Sequence, residues 1–383
     1  MDFRYSEEQL ALQDTLQRCL ARHYSFEQRR ALSRCAAGHS PAAWRELADL
    51  GVLALPLPEE AGGLGGSSVD VMLVMEEFGR VLALEPYMST VVIGAGILRE
   101  AASASLQGQL LPQIAAGELR LALAAYEAAG RYQLEHVGCT AQRNGSGWRL
   151  SGRKAVVVDA PGAHYLLVSA RTAGGVADGP GISLFLVSRT ARGVTLSAYV
   201  THCGGRAADV DLQEVELAAD ALLGPLDGGL GIIEHAIQRG IAALCAEALG
   251  IAATLNAATL EHLKTRRQFG VPIGTFQALQ HRMADMYIAA EQARSMTISA
   301  ATQIEGRDPV QRRRAVAAAK AYVGRATRFI GQQAVQLHGG MGLVDDFIVG
   351  HGFKRLTMID MTFGDTDYHF GRFSDMLEEP PAS

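Results

Sequence analysis

The segment from Ile232 to Lys264 constrains this chain most: it is long, rich in alanine and apolar on more than one face. A helix of that kind cannot lie on a surface with one stripe inward; it has to be covered on several sides, as in a bundle. Two further helical stretches follow it, Gln277–Glu305 and Pro309–Leu337, the second with proline near its start, where a missing N–H costs nothing. The C-terminal part, 227–383, therefore reads as a helical bundle domain.

The pattern upstream changes twice. Residues 1–120 read as helical: Ser6 is placed to cap a helix bearing Leu10, Leu12, Leu16 and Leu20, a second helix from Pro41 stops at Gly51, and others cover Val69–Val81 and Val91–Leu98. A Pro/Gly-rich connection, Val52 to Gly66, separates them. Residues 121–226 instead carry short β-rich runs: Leu121–Tyr126, Gly138–Arg143, Trp148–Val158, Tyr165–Arg171, Gly181–Val187 and Val194–Ala198. Such spacing suggests a compact β-barrel or sandwich. The Gly/Ala-rich loop from Arg171 to Pro180 is expected to be mobile, and the tail Glu378–Ser383 disordered. The expected class is α+β multidomain, with an N-terminal all-α domain, a middle β domain and a C-terminal bundle.

Bulk properties narrow the partners. A net charge of −5 argues against nucleic acid. No uninterrupted apolar run is long enough to span a bilayer, and the N-terminus has no signal-peptide core, so no membrane partner is expected. Five scattered cysteines without a CxxC suit reduced thiols in the cytoplasm, and no metal site is expected.

Three blocks carry more specific information. Trp44-Arg-Glu-Leu-Ala-Asp-Leu-Gly51, Pro58-Glu-Glu-Ala-Gly-Gly-Leu-Gly65 and Glu76-Glu-Phe-Gly-Arg80 mark helix stops and a tight turn. Arg266-Arg-Gln-Phe-Gly-Val-Pro-Ile-Gly-Thr-Phe-Gln277 sits between two long helices, and by itself could be a basic helix C-terminus ended by Gly270. Gln336-Leu-His-Gly-Gly340 could likewise be a plain C-cap.

Together these blocks, at these spacings, resemble the flavin-dependent acyl-CoA dehydrogenases over nearly the whole chain. The resemblance implies FAD as cofactor and an acyl-CoA substrate. It also implies a homo- or hetero-tetramer and an electron-transfer flavoprotein as acceptor. It implies that Arg266, Gln268, Phe269 and Gln277, with Gln336, Gly339 and Gly340, meet the FAD of a neighbouring subunit. Arginine suits a pyrophosphate because its planar fork donates two parallel hydrogen bonds. Thr366 corresponds to a threonine that touches the FAD of its own chain.

The departures from the family are concentrated. Its catalytic glutamate would fall at position 364, nine residues after Arg355, and this chain has Gly364 there. The family's second base location, one residue before an arginine matched by Arg239, is Gln238. Asp365, and more remotely Glu234 and Glu247, remain as carboxylates that could serve. The aspartate expected after Arg355 is Leu356. In the middle domain, the T-E-P-x-x-G-S-D motif survives only as Glu127, with Tyr126 and Tyr132 replacing Thr and Ser. K-x-W-I-T has become Lys154-Ala-Val-Val-Val158, so Val156 and Val158 replace the indole and hydroxyl facing the flavin.

Contacts to a neighbour's FAD are thus kept, while contacts to the chain's own flavin ring and the base are lost. The leading expectation is a dehydrogenase subunit that completes a partner's site, like the non-catalytic subunit of α2β2 members. One rival is a self-sufficient homotetramer using Asp365 or another carboxylate. Another is a scaffold or CoA-ester binding protein without redox chemistry.

Overall fold

The structure, a computed structural model, describes residues 5–378, so the tail expected to be disordered lies, beyond Glu378, outside the described residues. The N-terminal helices are α1 (Glu7–His23), α2 (Phe26–Arg34), α3 (Pro41–Asp49), α4 (Ser68–Val81), α5 (Ala95–Ala101) and α6 (Ala104–Ala115). Ser6 caps α1 as expected, its hydroxyl accepting from Gln9 N while the Gln9 side chain returns to Ser6 N. Ahead of α5, Met88–Gly94 is wound as a π-helix, every residue of it buried.

Eight strands then form one sheet: β1 (Leu121–Ala124), β2 (Thr140–Asn144), β3 (Gly147–Val158), β4 (Tyr165–Arg171), β5 (Ile182–Ser188), β6 (Val194–Val200), β7 (Arg206–Leu217) and β8 (Leu222–Leu223). The order is β6-β7-β3-β2-β4-β5-β8, with β1 beside β4 in parallel. Strand β7 was not anticipated, although it pairs with both β3 and β6. Its sequence opens on Arg-Ala-Ala-Asp, residues of low strand propensity, so pairing with its neighbours decides its conformation. The loop after β4 also differs from expectation. The Arg171 guanidinium donates to the carbonyls of Glu135, Val176, Asp178 and Pro180 at 2.8–3.0 Å and so pins the turn that composition suggested would be mobile.

The chain continues with α7 (Gly229–Thr265), the hairpin β9 (Arg267–Gln268) and β10 (Val271–Pro272), α8 (Gln277–Ile304), α9 (Pro309–His338), α10 (Ile348–Met361) and α11 (Thr366–Glu378). Helix α7 corrects one reading. Although interrupted by polar residues, it holds a window of mean hydropathy 1.6, apolar enough to cross a membrane by length and composition. That window is 78% buried inside the protein, so its apolarity is accounted for by the core.

Two compact units result. One comprises the residues up to 31, 67–83 and those from 241 onward; the other comprises 32–66 and 84–240. In the first, α9 packs against α8, α10 and α11, and α4 against α1 and α8. There the Glu76-Glu-Phe-Gly-Arg80 block shows its purpose. A Cβ on Gly79 would lie 2.0 Å from Glu247 O, and one on Gly250 would lie 1.9 Å from Glu76 O, so α4 and α7 touch backbone to backbone. Buried Glu76 meets Arg294 through two bonds of 2.8 Å and Arg80 through a third of the same length. In the second unit, the sheet's inward residues Leu150, Val157, Leu166, Val168, Phe185, Val187, Val210 and Val215 are all buried.

Candidate functional site

The residues of the Arg266–Gln277 and Gln336–Gly340 blocks lie on an edge of the first unit. Helix α7 stops at Thr265, one residue beyond the stretch read from the sequence, and the next residues form a hairpin turned by Phe269 (φ 53°) and Gly270 (φ +80°). Two adjacent positive φ values are what a two-residue hairpin requires. The turn pushes Phe269 out to 91% exposure. Arg266, Gln268, Gln277 and Gln336 are exposed, and their side chains have no hydrogen-bond partner among the described residues. Gly339 ends α9 with φ +60°, and a Cβ on either Gly339 or Gly340 would meet nothing within 4 Å.

One contact brings the two motifs to the same place. His262, one turn before Arg266, stacks on His338, the residue before Gly339, with ring centroids 4.4 Å apart. Burial, then His338, then Arg266 hold His262 below its usual pKa, which keeps it neutral near pH 7. His338 Nδ1 bonds to Ala334 O at 2.7 Å, which anchors the stack to α9. Unpartnered donors beside bare, open backbone are what a phosphate-bearing cofactor edge needs, so this edge fits FAD.

The turn around position 364 is built differently. Phe363 (φ 61°) and Gly364 (φ +105°) lie in a region that glycine tolerates and side chains resist. Buried Lys320 of α9 gives its ammonium to three carbonyls, Ile359, Asp360 and Gly364, at 2.7–2.8 Å. His369 Nε2–H donates to Phe363 O at 2.9 Å, and burial pushes its pKa down to about 4. A Cβ at Gly364 would come within 2.4 Å of Tyr368 Cδ1 and 2.7 Å of His369 Nε2. The space a base at this position would project into is filled by those two rings.

The carboxylates considered from sequence are otherwise engaged. Asp365 Oδ1 accepts from Tyr368 N at 2.9 Å and so caps α11. Glu247 is buried and forms a two-pronged pair with Arg355, at 2.5 and 2.6 Å. Glu234 and Gln238 are half-buried on the part of α7 that belongs to the second unit, where Arg239 pairs with Glu100 at 3.4 Å. Thr366 donates its hydroxyl to buried Asp360 at 2.8 Å, and Asp360 also meets Arg328 at 2.9 Å. That proton is spent inside the fold and is not available to a phosphate. Lys320, Asp360 and His369 were not anticipated. The available signal was Lys320 itself, a charge in the apolar stripe of α9 that includes Val316, Val323, Thr327 and Ile330.

In the second unit, Glu127 and Lys154 survive for a structural reason. Glu127 accepts from Lys154 Nζ at 2.7 Å, from Gly138 N at 2.8 Å and from Cys139 N at 3.0 Å. Desolvation opposes the charge, but Lys154 and the two backbone N–H groups outweigh it and hold the carboxyl below its usual pKa. Val156 is 57% exposed at φ 53°, presenting an aliphatic surface where the family has an indole. These residues do not supply polar contacts for a flavin ring. Breaking the pair by Glu127→Gln is expected to cost about 3 kcal/mol, measured by denaturant unfolding. Because the folded pKa is depressed, this contribution is full above the ordinary carboxylate value of 4.5 and is lost as pH falls through the lower folded value.

A helical domain, a β domain and a helical bundle with a cofactor edge define a flavin-dependent oxidoreductase of the dehydrogenase type. Family models match throughout: the acyl-CoA dehydrogenase N-terminal domain over 6–118, the middle domain over 122–218 and the C-terminal domain over 227–375. The chain belongs to the acyl-CoA dehydrogenase family, oxidoreductases that act on acyl-CoA with FAD. The human mitochondrial short-chain specific acyl-CoA dehydrogenase is 30% identical over 323 residues, which is 82% of this chain and 77% of that protein. Among solved structures, a variant described as the Tcur3481-Tcur3483 steroid ACAD is 33% identical (TM-score 0.88, covering 98% of this chain and 99% of that one). The ChsE4-ChsE5 complex of Mycobacterium tuberculosis contains a chain 28% identical, with TM-score 0.90 and full coverage of both.

Proposed function

We propose that this chain is the cofactor-completing subunit of a heteromeric acyl-CoA dehydrogenase. The observation that carries the reading is the pairing of a filled base position at Gly364 with an open, unpartnered FAD edge at Arg266, Gln277, Gln336 and Gly339–Gly340. Desaturation needs a carboxylate to take the α-proton of the thioester, and general-base catalysis of that kind is worth roughly 10²–10⁴-fold. The carboxylates near the turn are capping a helix or closed in ion pairs, so the base belongs to a related partner chain. FAD supplies the acceptor for the β-hydride. This chain's share is to grip the far end of the partner's cofactor. Arg266 and the glutamine amides donate to it, and the two glycines let the backbone approach.

Kinship with a chain described as a steroid ACAD, and with one from a two-component complex, supports both the heteromeric arrangement and a bulky, ring-bearing acyl-CoA as substrate. An electron-transfer flavoprotein is the expected acceptor, as the family implies.

The test is the visible spectrum, native mass and turnover of the purified chain, alone and co-purified with a related dehydrogenase chain. The chain alone should be colourless and inactive. The mixture should be yellow, heterotetrameric and active on steroid-CoA esters. A yellow chain with full activity by itself would sink the reading.

A further inference from the structure

At one end of the sheet, three strand ends are laced together by their backbones. Arg120 precedes β1, His164 precedes β4 and Arg189 follows β5. Since β1 runs parallel to β4 and β5 antiparallel to it, all three residues arrive at the same edge. His164 N donates to Arg120 O at 2.8 Å, Arg120 N to His164 Nδ1 at 3.0 Å, and Arg189 N to His164 O at 3.0 Å. The first of these bonds fixes the strand ends, and the second fixes the tautomer, leaving the proton of a neutral His164 on Nε2. Beside them opens a small pocket lined by His39, Arg120, Asp159, Gly162 and Arg206, among others.

The charges here are unbalanced. Three guanidinium groups and two imidazoles meet one carboxylate, Asp159, which accepts from Ser89 Oγ at 2.6 Å. Arg206 is occupied by the carbonyls of Ser33, Cys35 and Gly204. Arg120 commits only its Nε, to Gly162 O at 2.8 Å, and its terminal nitrogens have no partner among the described residues. The Arg189 guanidinium has no hydrogen bond or ion pair there, and its Nε is buried. Burial and Arg189 lower the pKa of Arg120; burial, then Arg120 and Arg189, lower that of His164. Arginines at a strand end are usually just solvated. Two that are partly buried, repel each other and form no ion pair among the described residues are poorly placed unless an anion joins them.

We propose that this edge of the middle domain binds a phosphate or phosphomonoester dianion, gripped by Arg120 and Arg189 with His164 as a further donor. Two planar forks match a tetrahedral oxyanion. Free phosphate and the 3′-phosphate of a CoA nucleotide share this chemistry. The inference concerns only the second unit and stands whether or not the chain is a supporting subunit.

Calorimetric titration of the full-length chain with inorganic phosphate, then with adenosine 3′,5′-bisphosphate, tests it. Both should bind, more weakly at high ionic strength. Arg189→Gln and Arg120→Gln should each weaken phosphate binding by about tenfold or more. Tighter binding of the bisphosphate assigns the nucleotide as the source, and equal binding assigns the free anion. The Arg189 side chain makes no hydrogen bond among the described residues, so its variant should melt like the wild type, separating lost binding from lost folding. Absence of binding by both ligands, or phosphate binding unchanged in both variants, overturns the proposal.

Discussion

Restoring a glutamate at position 364 is expected to give no dehydrogenase activity to the isolated chain and to cost it about 3 kcal/mol of stability. The backbone at Gly364 has φ +105°, where a side chain is strained before it meets anything. Its Cβ would then press on Tyr368 Cδ1 and His369 Nε2, at 2.4 and 2.7 Å. Neither group is the loose end of a flexible chain. His369 is buried and bonded to Phe363 O, and the Tyr368 ring stands edge-on to it at 5.2 Å between centroids. The flanks cannot yield easily either, because Lys320 holds Gly364 O and Asp360 holds Thr366. The new carboxylate would have to displace these groups before it could reach a thioester. Denaturant unfolding measures the first effect, and turnover with excess FAD and an artificial electron acceptor measures the second. Activity on acyl-CoA from Gly364→Glu alone would show that the rings are not a barrier.

The sequence disclosed this turn as a loss and could not disclose it as a construction. Position 364 is set by its distance from Arg355, which needs only local spacing. The rings that fill the vacancy come from α11 and the ammonium that ties the turn from α9, and no spacing rule links Lys320 to a carbonyl more than forty residues away. The three-domain order was legible because each stretch has its own periodicity, and α7 announced the bundle by being apolar all round. Strand β7 was missed because its charged, alanine-containing sequence is held by β3 and β6 on either side. Glu127 illustrates a different limit. Its survival looked like the remnant of a cofactor motif, but its partners are Lys154 and two backbone N–H groups. The blocks that the resemblance assigns to FAD were legible from local spacing. Residues are close in sequence within each block, although the stacking of His262 on His338 that joins the blocks emerged only in three dimensions.

The second large effect is expected from Lys320→Met. The ammonium is the donor to the last carbonyls of α10, Ile359 and Asp360, and to Gly364 O across the turn. A methionine of similar length fills the space but takes the Lys320 bond from three buried acceptors, of which Ile359 O keeps Thr362 N at 3.2 Å; a stranded acceptor costs about 1–3 kcal/mol. Removing the buried charge offsets part of that cost, leaving a net loss on the order of 3 kcal/mol. The pH dependence distinguishes this role from simple packing. Burial pushes the Lys320 pKa from 10.5 down to about 8, while the nearby Cys245, Asp360 and Asp365 oppose the shift. The unfolded chain keeps that proton up to about 10.5, whereas the folded chain releases it near 8. Between those values the unfolded state binds more protons, so wild-type stability gains a rising contribution with pH from this group, flat on either side. Lys320→Met should lack that rise while keeping every other slope. Amide exchange across 359–366 should also quicken in the variant, because the turn loses the group that joins its two ends. Unfolding curves for the two proteins that stay parallel from pH 7 to 10 would mean that Lys320 does not titrate in this window, and that its role is steric.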